Sequence, residues 1–199
     1  LLDGNYPSPV RAGAFREIVY AQKEQAVSLI VQTLDSNDKL MNRAALAAVV
    51  SVPGHAATAA FARQLAALTP EAKAALLGAL AARGDAEGLT ALVNKLVVDD
   101  NAAIREAAIK ALARLGNASS VPVLAAALKD TANSALAIRA LVELRGEGVA
   151  ESLIQQAESG DAALRANVLG VLSDRKQIAA LPLARKLANG DDAKLRKAA

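Results

Sequence analysis

The chain has 199 residues, of which 53% are hydrophobic but only 2% aromatic, and it carries a formal net charge of +3. It contains no Cys and one His, which excludes disulfides, Cys-based zinc sites and metal sites built on several histidines. Ala and Leu fill 78 positions, and this excess of helix formers over β-branched and aromatic residues predicts an all-α protein. No window of about 18 apolar residues is free of charge, so the sequence predicts no membrane-spanning helix.

A unit of about 31 residues, with two amphipathic helices, repeats along the chain. Its clearest copy has a first helix over 102–116, where apolar residues lie three and four positions apart and Gly116 is expected to end the helix in the left-handed conformation. A second amphipathic segment follows at 121–130. Near the start of the first helix a basic residue recurs as Arg11, Arg43, Lys73, Arg105, Arg165 and Arg196, and Ser134 stands at that position in one unit. A period held over six intervals predicts a helical solenoid.

Acidic residues at the junctions between units are expected to cap the first helices, because a carboxylate can accept from the free N–H groups of a first turn. They are Asp3, Asp35, Asp99, Asp100, Asp130, Asp161, Asp191 and Asp192. The recurring basic residues are expected to form ion pairs with these junctions, in a structural ladder that sets the register of stacking. Pro70 and Pro122 are expected in first turns, whereas Pro182 is expected later in its helix, where it would kink the backbone.

These residues carry a family resemblance. The pattern Ile-Arg-x-Ala-Ala-x-x-Ala-Leu-x-x-Leu-Gly at 104–116, followed by Val-x-x-Leu-x-x-x-Leu-x-Asp at 121–130, resembles HEAT repeats. The closest form is the short bacterial one called the PBS-lyase HEAT-like repeat. The resemblance spans the chain and is weakest at 36–69 and 131–160. It implies a right-handed superhelix, with the first helices on the convex side and the second helices lining the concave side.

The whole chain is predicted to be one repeat domain. Its six repeats are expected at 5–36, 37–69, 70–100, 101–130, 131–160 and 161–190, with a partial unit at 191–199. Leu1, Leu2 and Asp3 match the end of a second helix, residues 193–196 match the start of a first helix, and neither end shows a polar capping repeat. We therefore expect a fragment of a longer array, and the sequence indicates no compartment.

The sequence offers little for catalysis. His55 is expected to begin a helix, with no Asp, Cys or second His nearby at a spacing suited to a metal ligand or a general base. Arg83, Gly84 and Asp85 form an integrin-type tripeptide, but their position predicts a helix end, a C-cap turn and the N-cap of the next helix. HEAT-like enzymes similar to deoxyhypusine hydroxylase hold metal with paired His-Glu motifs, which this chain lacks. No catalytic residue, cofactor or metal site is predicted.

Partner binding is expected on the concave face that the resemblance implies. The candidate positions, taken from the non-core stripe of the second helices, are Gln32, Arg63, Asn94, Gln155 and Arg185. Nucleic acid is disfavoured as a partner, because the net charge is small, basic and acidic residues are interspersed, and no aromatic platform is present.

The principal hypothesis is therefore a non-catalytic scaffold that presents a curved helical surface to another protein or to a flanking domain of its own chain. This hypothesis rests on an analogy with other repeat proteins and on the missing catalytic constellation. The alternative is an auxiliary subunit or lyase resembling the bilin-lyase branch of HEAT-like proteins, acting on a chromophore-bearing protein. Nucleic-acid binding ranks third, and no small-molecule ligand is expected.

Overall fold

The computed structural model describes residue 2 and residues 4–199, which form six helix pairs and one further helix. The first helices of the pairs are α1 (Ser8–Gln22), α3 (Lys39–Ser51), α5 (Pro70–Arg83), α7 (Ala102–Leu115), α9 (Ser134–Glu143) and α11 (Ala162–Asp174), and α13 (Ala193–Ala198) follows as the first helix of a seventh unit. The second helices are α2 (Val27–Leu34), α4 (His55–Gln64), α6 (Thr90–Leu96), α8 (Val121–Ala127), α10 (Val149–Ser159) and α12 (Leu181–Ala188). Short 3₁₀ segments precede α2, α8 and α12 and follow α4.

The helices stack in two layers. Every first helix packs against the next first helix, from α1 through to α13. Most second helices pack against the first helix that follows them, as α6 does on α7 and α10 on α11. Contacts between consecutive second helices also join α2 to α4 and α8 to α10. Most contacts between residues far apart in sequence thus join neighbouring repeats. The predicted all-α solenoid is confirmed.

Small side chains set the spacing of the first layer. Ala108 and Ala111 of α7 and Ala137 and Ala140 of α9 are buried, among leucines that fill the space behind them. An Ala at the contact lets two helix axes approach more closely than a larger residue would, and a well-packed interior tolerates few voids. The Ala- and Leu-rich composition therefore belongs to the repeated interface between first helices.

The ends of the first helices confirm part of the predicted capping. The Asp161 carboxylate accepts from the Leu164 N–H at 2.9 Å, and the Asp192 carboxylate accepts from the Lys194 N–H at 2.8 Å. At three other first helices the N-cap is not one of the predicted aspartates but the residue directly before the helix. Asp38 caps α3, Thr69 caps α5 and Asn101 caps α7. The predictions that rest on Leu1 and Asp3 lie outside the described residues.

Two backbone predictions are wrong. Gly116 ends α7 with extended backbone angles (φ −77°, ψ 167°) and not in the left-handed region. Glycine is needed there for a close approach, since a Cβ would lie 2.5 Å from the Leu112 carbonyl oxygen and 2.6 Å from Leu144 Cδ1. Pro182 is the second residue of α12, because a 3₁₀ turn ends at Ala180 before the helix begins. An N–H in the first turn of a helix has no acceptor within that helix, so the helix loses no hydrogen bond at Pro182 and is not kinked there.

The described part of the chain contains no helix long and apolar enough to cross a membrane. The handedness of the superhelix and the placement of the second helices on its concave side stay predictions.

The buried face of α7 gives a direct stability test. Leu112 is fully buried, so Leu112→Ala should lower the free energy of unfolding by about 2–5 kcal/mol through lost burial and a new cavity. Lys129→Ala is the control, because Lys129 forms only an exposed ion pair with Asp161 and should cost about 0–1 kcal/mol. Urea unfolding followed by circular dichroism measures both, and equal losses in the two variants would contradict the assigned packing.

Candidate functional site

The recurring basic residues bind mainly backbone carbonyls, and this differs from the predicted ion-pair ladder. The Arg105 guanidinium donates to the carbonyl oxygens of Asp99 and Asp100 at 2.7 and 2.9 Å, just beyond the end of α6. Arg196 makes the same pair of bonds to Gly190 and Asp191 beyond α12, and the Arg165 Nε donates to the Ala157 carbonyl oxygen in α10. These side chains satisfy the free carbonyls at the end of the preceding second helix.

The predicted ladder of basic residues is least regular in the first three repeats. In α3 the role passes to Asn42, whose side-chain amide donates to the Leu34 carbonyl oxygen at 2.6 Å, while Arg43 is exposed. Arg11 makes the expected ion pair, but its partner is Asp38, the cap of the next first helix. Lys73 is half-buried at the matching position of α5.

The predicted partner-binding residues lie on five different second helices. Gln32, Arg63, Gln155 and Arg185 are exposed on α2, α4, α10 and α12, and no pocket of the described residues gathers them. Asn94 is half-buried on α6 and donates to the Ser119 hydroxyl at 3.3 Å, while its side-chain oxygen is buried without a donor among the described residues. These five residues remain a predicted binding stripe.

A groove interrupts the second-helix layer between α6 and α8. It has a volume of about 550 Å³ and a largely apolar lining. Val97, Val98, Pro122, Val123, Ala126 and Ala127 form the apolar part, with Asn94, Arg105, Asp130 and Asn133 around it. Val98 is 76% exposed, so part of this aliphatic lining is open to solvent. We call this feature the α6–α8 groove.

A chain of hydrogen bonds joins the second and third repeats at the edge of the stack where the first helices end. His55 Nδ1 lies 2.8 Å from a carboxylate oxygen of Asp85 and 3.4 Å from the nearer oxygen of Glu87. The Thr58 hydroxyl donates to the other Asp85 oxygen at 2.6 Å, and the Arg83 Nε donates to Thr58 at 2.6 Å. Asp85 therefore bonds across the repeat boundary instead of capping α6, although Arg83 does end α5 and Gly84 does adopt the left-handed conformation.

Sequence reasoning missed this cluster because it looked for partners of His55 nearby in sequence. The repeat length could have revealed the pair, because Asp85 follows His55 by 30 residues and therefore lies in the neighbouring repeat. The Thr58 hydroxyl is fully buried and bonded on both sides, so it is not free to act as a nucleophile. No group of three or more His, Cys, Asp or Glu in the described part of the chain is arranged to hold a metal ion.

Arg83 and Arg175 form a second set of basic caps that sequence reasoning also missed. Arg83 donates to the carbonyl oxygens of Val49, Val52 and Gly54 at the end of α3. Arg175 donates in the same way to three carbonyl oxygens at the end of α9, those of Leu141, Val142 and Leu144. Each arginine sits at the end of one first helix and caps the first helix of the preceding repeat.

Comparison with known proteins supports the repeat assignment over part of the chain. Residues 60–136 match the family model described as HEAT repeats. A search of the curated proteins found no match. Among solved structures, human deoxyhypusine hydroxylase in complex with glycerol is similar over 99% of this chain and 79% of its own, with 20% sequence identity and a TM-score of 0.47. At this level of similarity, no residue role is carried from that enzyme to this chain.

The His55 cluster predicts a pH-dependent contribution to stability. The hydrogen bond and the charge of Asp85, and then the charge of Glu87, raise the pKa of His55 above its usual value of 6.5. A raised pKa means that the folded state favours the imidazolium, so this stabilisation is complete below about pH 6.5 and is lost as the pH rises through the higher folded-state pKa. The Thr58 hydrogen bond and the His55 contact hold the pKa of Asp85 below its usual value, which keeps its carboxylate ionised over this range.

We expect His55→Gln to lower the melting temperature more at about pH 5.5 than at about pH 8.5. Thermal unfolding at the two values measures the difference, and Gln64→Ala on the same helix serves as the uncharged control. An equal effect of His55→Gln at both values would show that the protonated imidazole makes no contribution.

The Arg83 cap gives a second stability test. Arg83→Met keeps much of the side-chain volume but leaves several α3 carbonyls without a donor, so it should cost about 1–3 kcal/mol in the free energy of unfolding. Arg114→Met, at an exposed position of α7, should change it by about 0.5 kcal/mol or less. Urea unfolding compares them, and a loss no larger for Arg83→Met than for Arg114→Met would refute the capping role.

Proposed function

We propose that this chain is a non-catalytic interaction module, whose second-helix surface binds another protein or a neighbouring domain of the same polypeptide. The observation that carries the proposal is the α6–α8 groove, an apolar recess in the second-helix layer. Concave recesses lined by apolar side chains are where proteins bind ligands and peptide segments. The match of residues 60–136 to HEAT repeats, which commonly serve protein interactions, supports the same reading.

The layer of first helices is less suited to this role. Each first helix between α1 and α13 packs between two others, so the sides of these helices are already covered. Their exposed charges are partly paired along the same helix, as Lys110 is with Glu106 and Arg139 with Glu143. The second helices present Gln32, Arg63, Gln155 and Arg185 to solvent on both sides of the groove.

The non-catalytic part of the proposal rests on the His55 cluster. The groups there that could carry proton transfer bond one another across the boundary between two repeats, and the Thr58 hydroxyl between them is buried. The finer assignment of the chain to the short bacterial HEAT-like form rests on the resemblance at 102–130 and is part of this proposal.

Charge reversal on the second helices tests the proposal. The triple variant Arg63→Glu, Ala126→Glu, Arg185→Glu should weaken crosslinking of each specific partner by about tenfold, because two charges on the second-helix surface change sign and a further charge is placed in the apolar α6–α8 groove. Arg43→Glu is the matched control, since Arg43 is an equally exposed arginine on a first helix. Quantitative crosslinking and mass spectrometry compare the three proteins. Unchanged capture by the triple variant, or an equal loss with Arg43→Glu, would contradict binding through the second helices.

A further inference from the structure

A second groove lies between α11 and α12. Its volume is about 330 Å³, and the 3₁₀ turn before α12 and the end of α13 bound it. Ile178 and Leu181 line this groove and are 77% and 48% exposed. Of the residues that line it, Lys176 alone has a charged side chain, and it lies beside Ser173 and Gln177. We call this feature the α11–α12 groove.

The sixth repeat and α13 carry the positive charge of the chain. Residues 161–199 contain eight lysines and arginines and four aspartates, whereas the other 160 residues contain 15 basic and 16 acidic side chains. The excess of positive charge stays at three when the terminal carboxylate of Ala199 is counted. A net charge concentrated on one part of a surface attracts partners of the opposite charge.

Most of these cations are free to meet a partner. Arg165, Arg175 and Arg196 are used within the stack, where they donate to backbone carbonyl oxygens. The other five are exposed and form no ion pair with a residue that the structure describes: Lys176, Arg185, Lys186, Lys194 and Lys197.

The carboxylates nearby are fewer and lie outside the groove. Asp161 pairs with Lys129 of the preceding junction, and Asp192 accepts from two N–H groups at the start of α13. The exposed carboxylates that remain on this repeat and on the neighbouring α10 are those of Asp174, Asp191, Glu151 and Glu158. None of them lines the α11–α12 groove or forms an ion pair with α12.

The fourth repeat shows what adjoins the matching positions elsewhere in the stack. Ala118 and Val121 match Ile178 and Leu181, because each pair begins a 3₁₀ turn and the second helix after it. Val121 is fully buried, and the Ser152 hydroxyl of α10 donates to the Ala118 carbonyl oxygen at 3.4 Å. In the fourth repeat, therefore, a helix adjoins positions that are open to solvent in the sixth.

We propose that the α11–α12 groove binds a short helical segment of another protein that combines aliphatic side chains with aspartates or glutamates. Its aliphatic side chains cover Ile178 and Leu181, and its carboxylates pair with Lys176 and Arg185. Arg185 suits this role because it follows Leu181 by four residues and so lies on the same face of α12. This inference rests on the proposed function, to which it adds a second surface with a stated partner chemistry.

The groove favours this partner over other classes. A basic segment would bring like charges to Lys176 and Arg185, which opposes binding, and a fully polar one would leave the aliphatic lining in water. Single-stranded nucleic acid binds by stacking on aromatic side chains, and the sequence has none after Phe61. Two exposed aliphatic side chains are a small area for a membrane, since membrane binding scales with buried apolar area.

The experiment titrates peptides of about twelve residues, labelled with an uncharged fluorophore, against the whole chain and follows fluorescence anisotropy. The test peptide has leucines three and four positions apart with glutamates beside them, so that a helix presents both on one face. Matched peptides replace every glutamate by lysine or every leucine by serine. We expect the leucine–glutamate peptide to bind at least about tenfold more tightly than either matched peptide at low salt, with the charge-dependent part declining as salt is added.

A pair of variants locates the binding. Leu181→Asp puts a carboxylate in the groove and should weaken binding of the leucine–glutamate peptide by at least about tenfold. Val50→Asp is the matched control, because Val50 is an aliphatic residue of similar exposure on α3, and it should leave the affinity unchanged. Circular dichroism melting curves verify that each variant folds.

Charge reversal tests the polar half of the site. The double variant Lys176→Glu, Arg185→Glu should weaken binding of the leucine–glutamate peptide by about tenfold and strengthen binding of the leucine–lysine peptide. The control is Lys39→Glu, Arg43→Glu, which reverses two exposed cations of α3 and should change neither affinity by more than about twofold.

Equal affinity for the glutamate and lysine peptides, binding that survives Leu181→Asp, or tighter binding of phosphatidylserine vesicles or single-stranded DNA than of the leucine–glutamate peptide would each overturn this inference. Self-association of the chain that Leu181→Asp abolishes, measured by light scattering, would also overturn it, because a second copy would then occupy the groove. The proposed function is judged separately by crosslinking. Loss of partner capture in the triple variant, without a preference among the peptides, would leave an interaction module that does not use this groove.

Discussion

The structure depends on close packing between successive first helices. A single pair of helices has an apolar face that it cannot bury alone, so each repeat needs its neighbour. Small residues such as Ala108 and Ala137 let the first helices approach, and leucines such as Leu112 fill the interior behind them. This one repeated contact accounts for the excess of Ala and Leu and for the low aromatic content, because few large rings are needed where the layers lie so close.

The stacking also explains how the basic residues are used. A helix in a stack ends against its neighbours, where its last carbonyls need donors. Arg105 supplies them at the end of a second helix, and Arg83 and Arg175 supply them at the ends of first helices. A guanidinium suits this role because it carries five donors in a fixed plane and stays charged. The periodic basic residues are thus connections between neighbouring segments, and most of them are unavailable to a partner.

The period of about 31 residues was enough to predict the architecture, because amphipathic spacing and repeat length determine helix pairs and their order. It could not determine finer geometry. A shift of one residue moved the capping role from Arg43 to Asn42, and the partner of His55 became visible only when residues one repeat apart were placed side by side. The α6–α8 groove depends on how closely two second helices approach, which side-chain packing in three dimensions decides.

The central claim is that binding takes place in the second-helix layer, at the α6–α8 groove. Because the chain has no cysteine, single-cysteine variants allow direct footprinting with a maleimide reagent in the presence and absence of a partner protein recovered by crosslinking. The account predicts that the partner slows labelling of Ala126→Cys, while Arg43→Cys keeps its rate. Protection of Arg43→Cys with no change at Ala126→Cys would place the binding surface on the first helices and contradict the account.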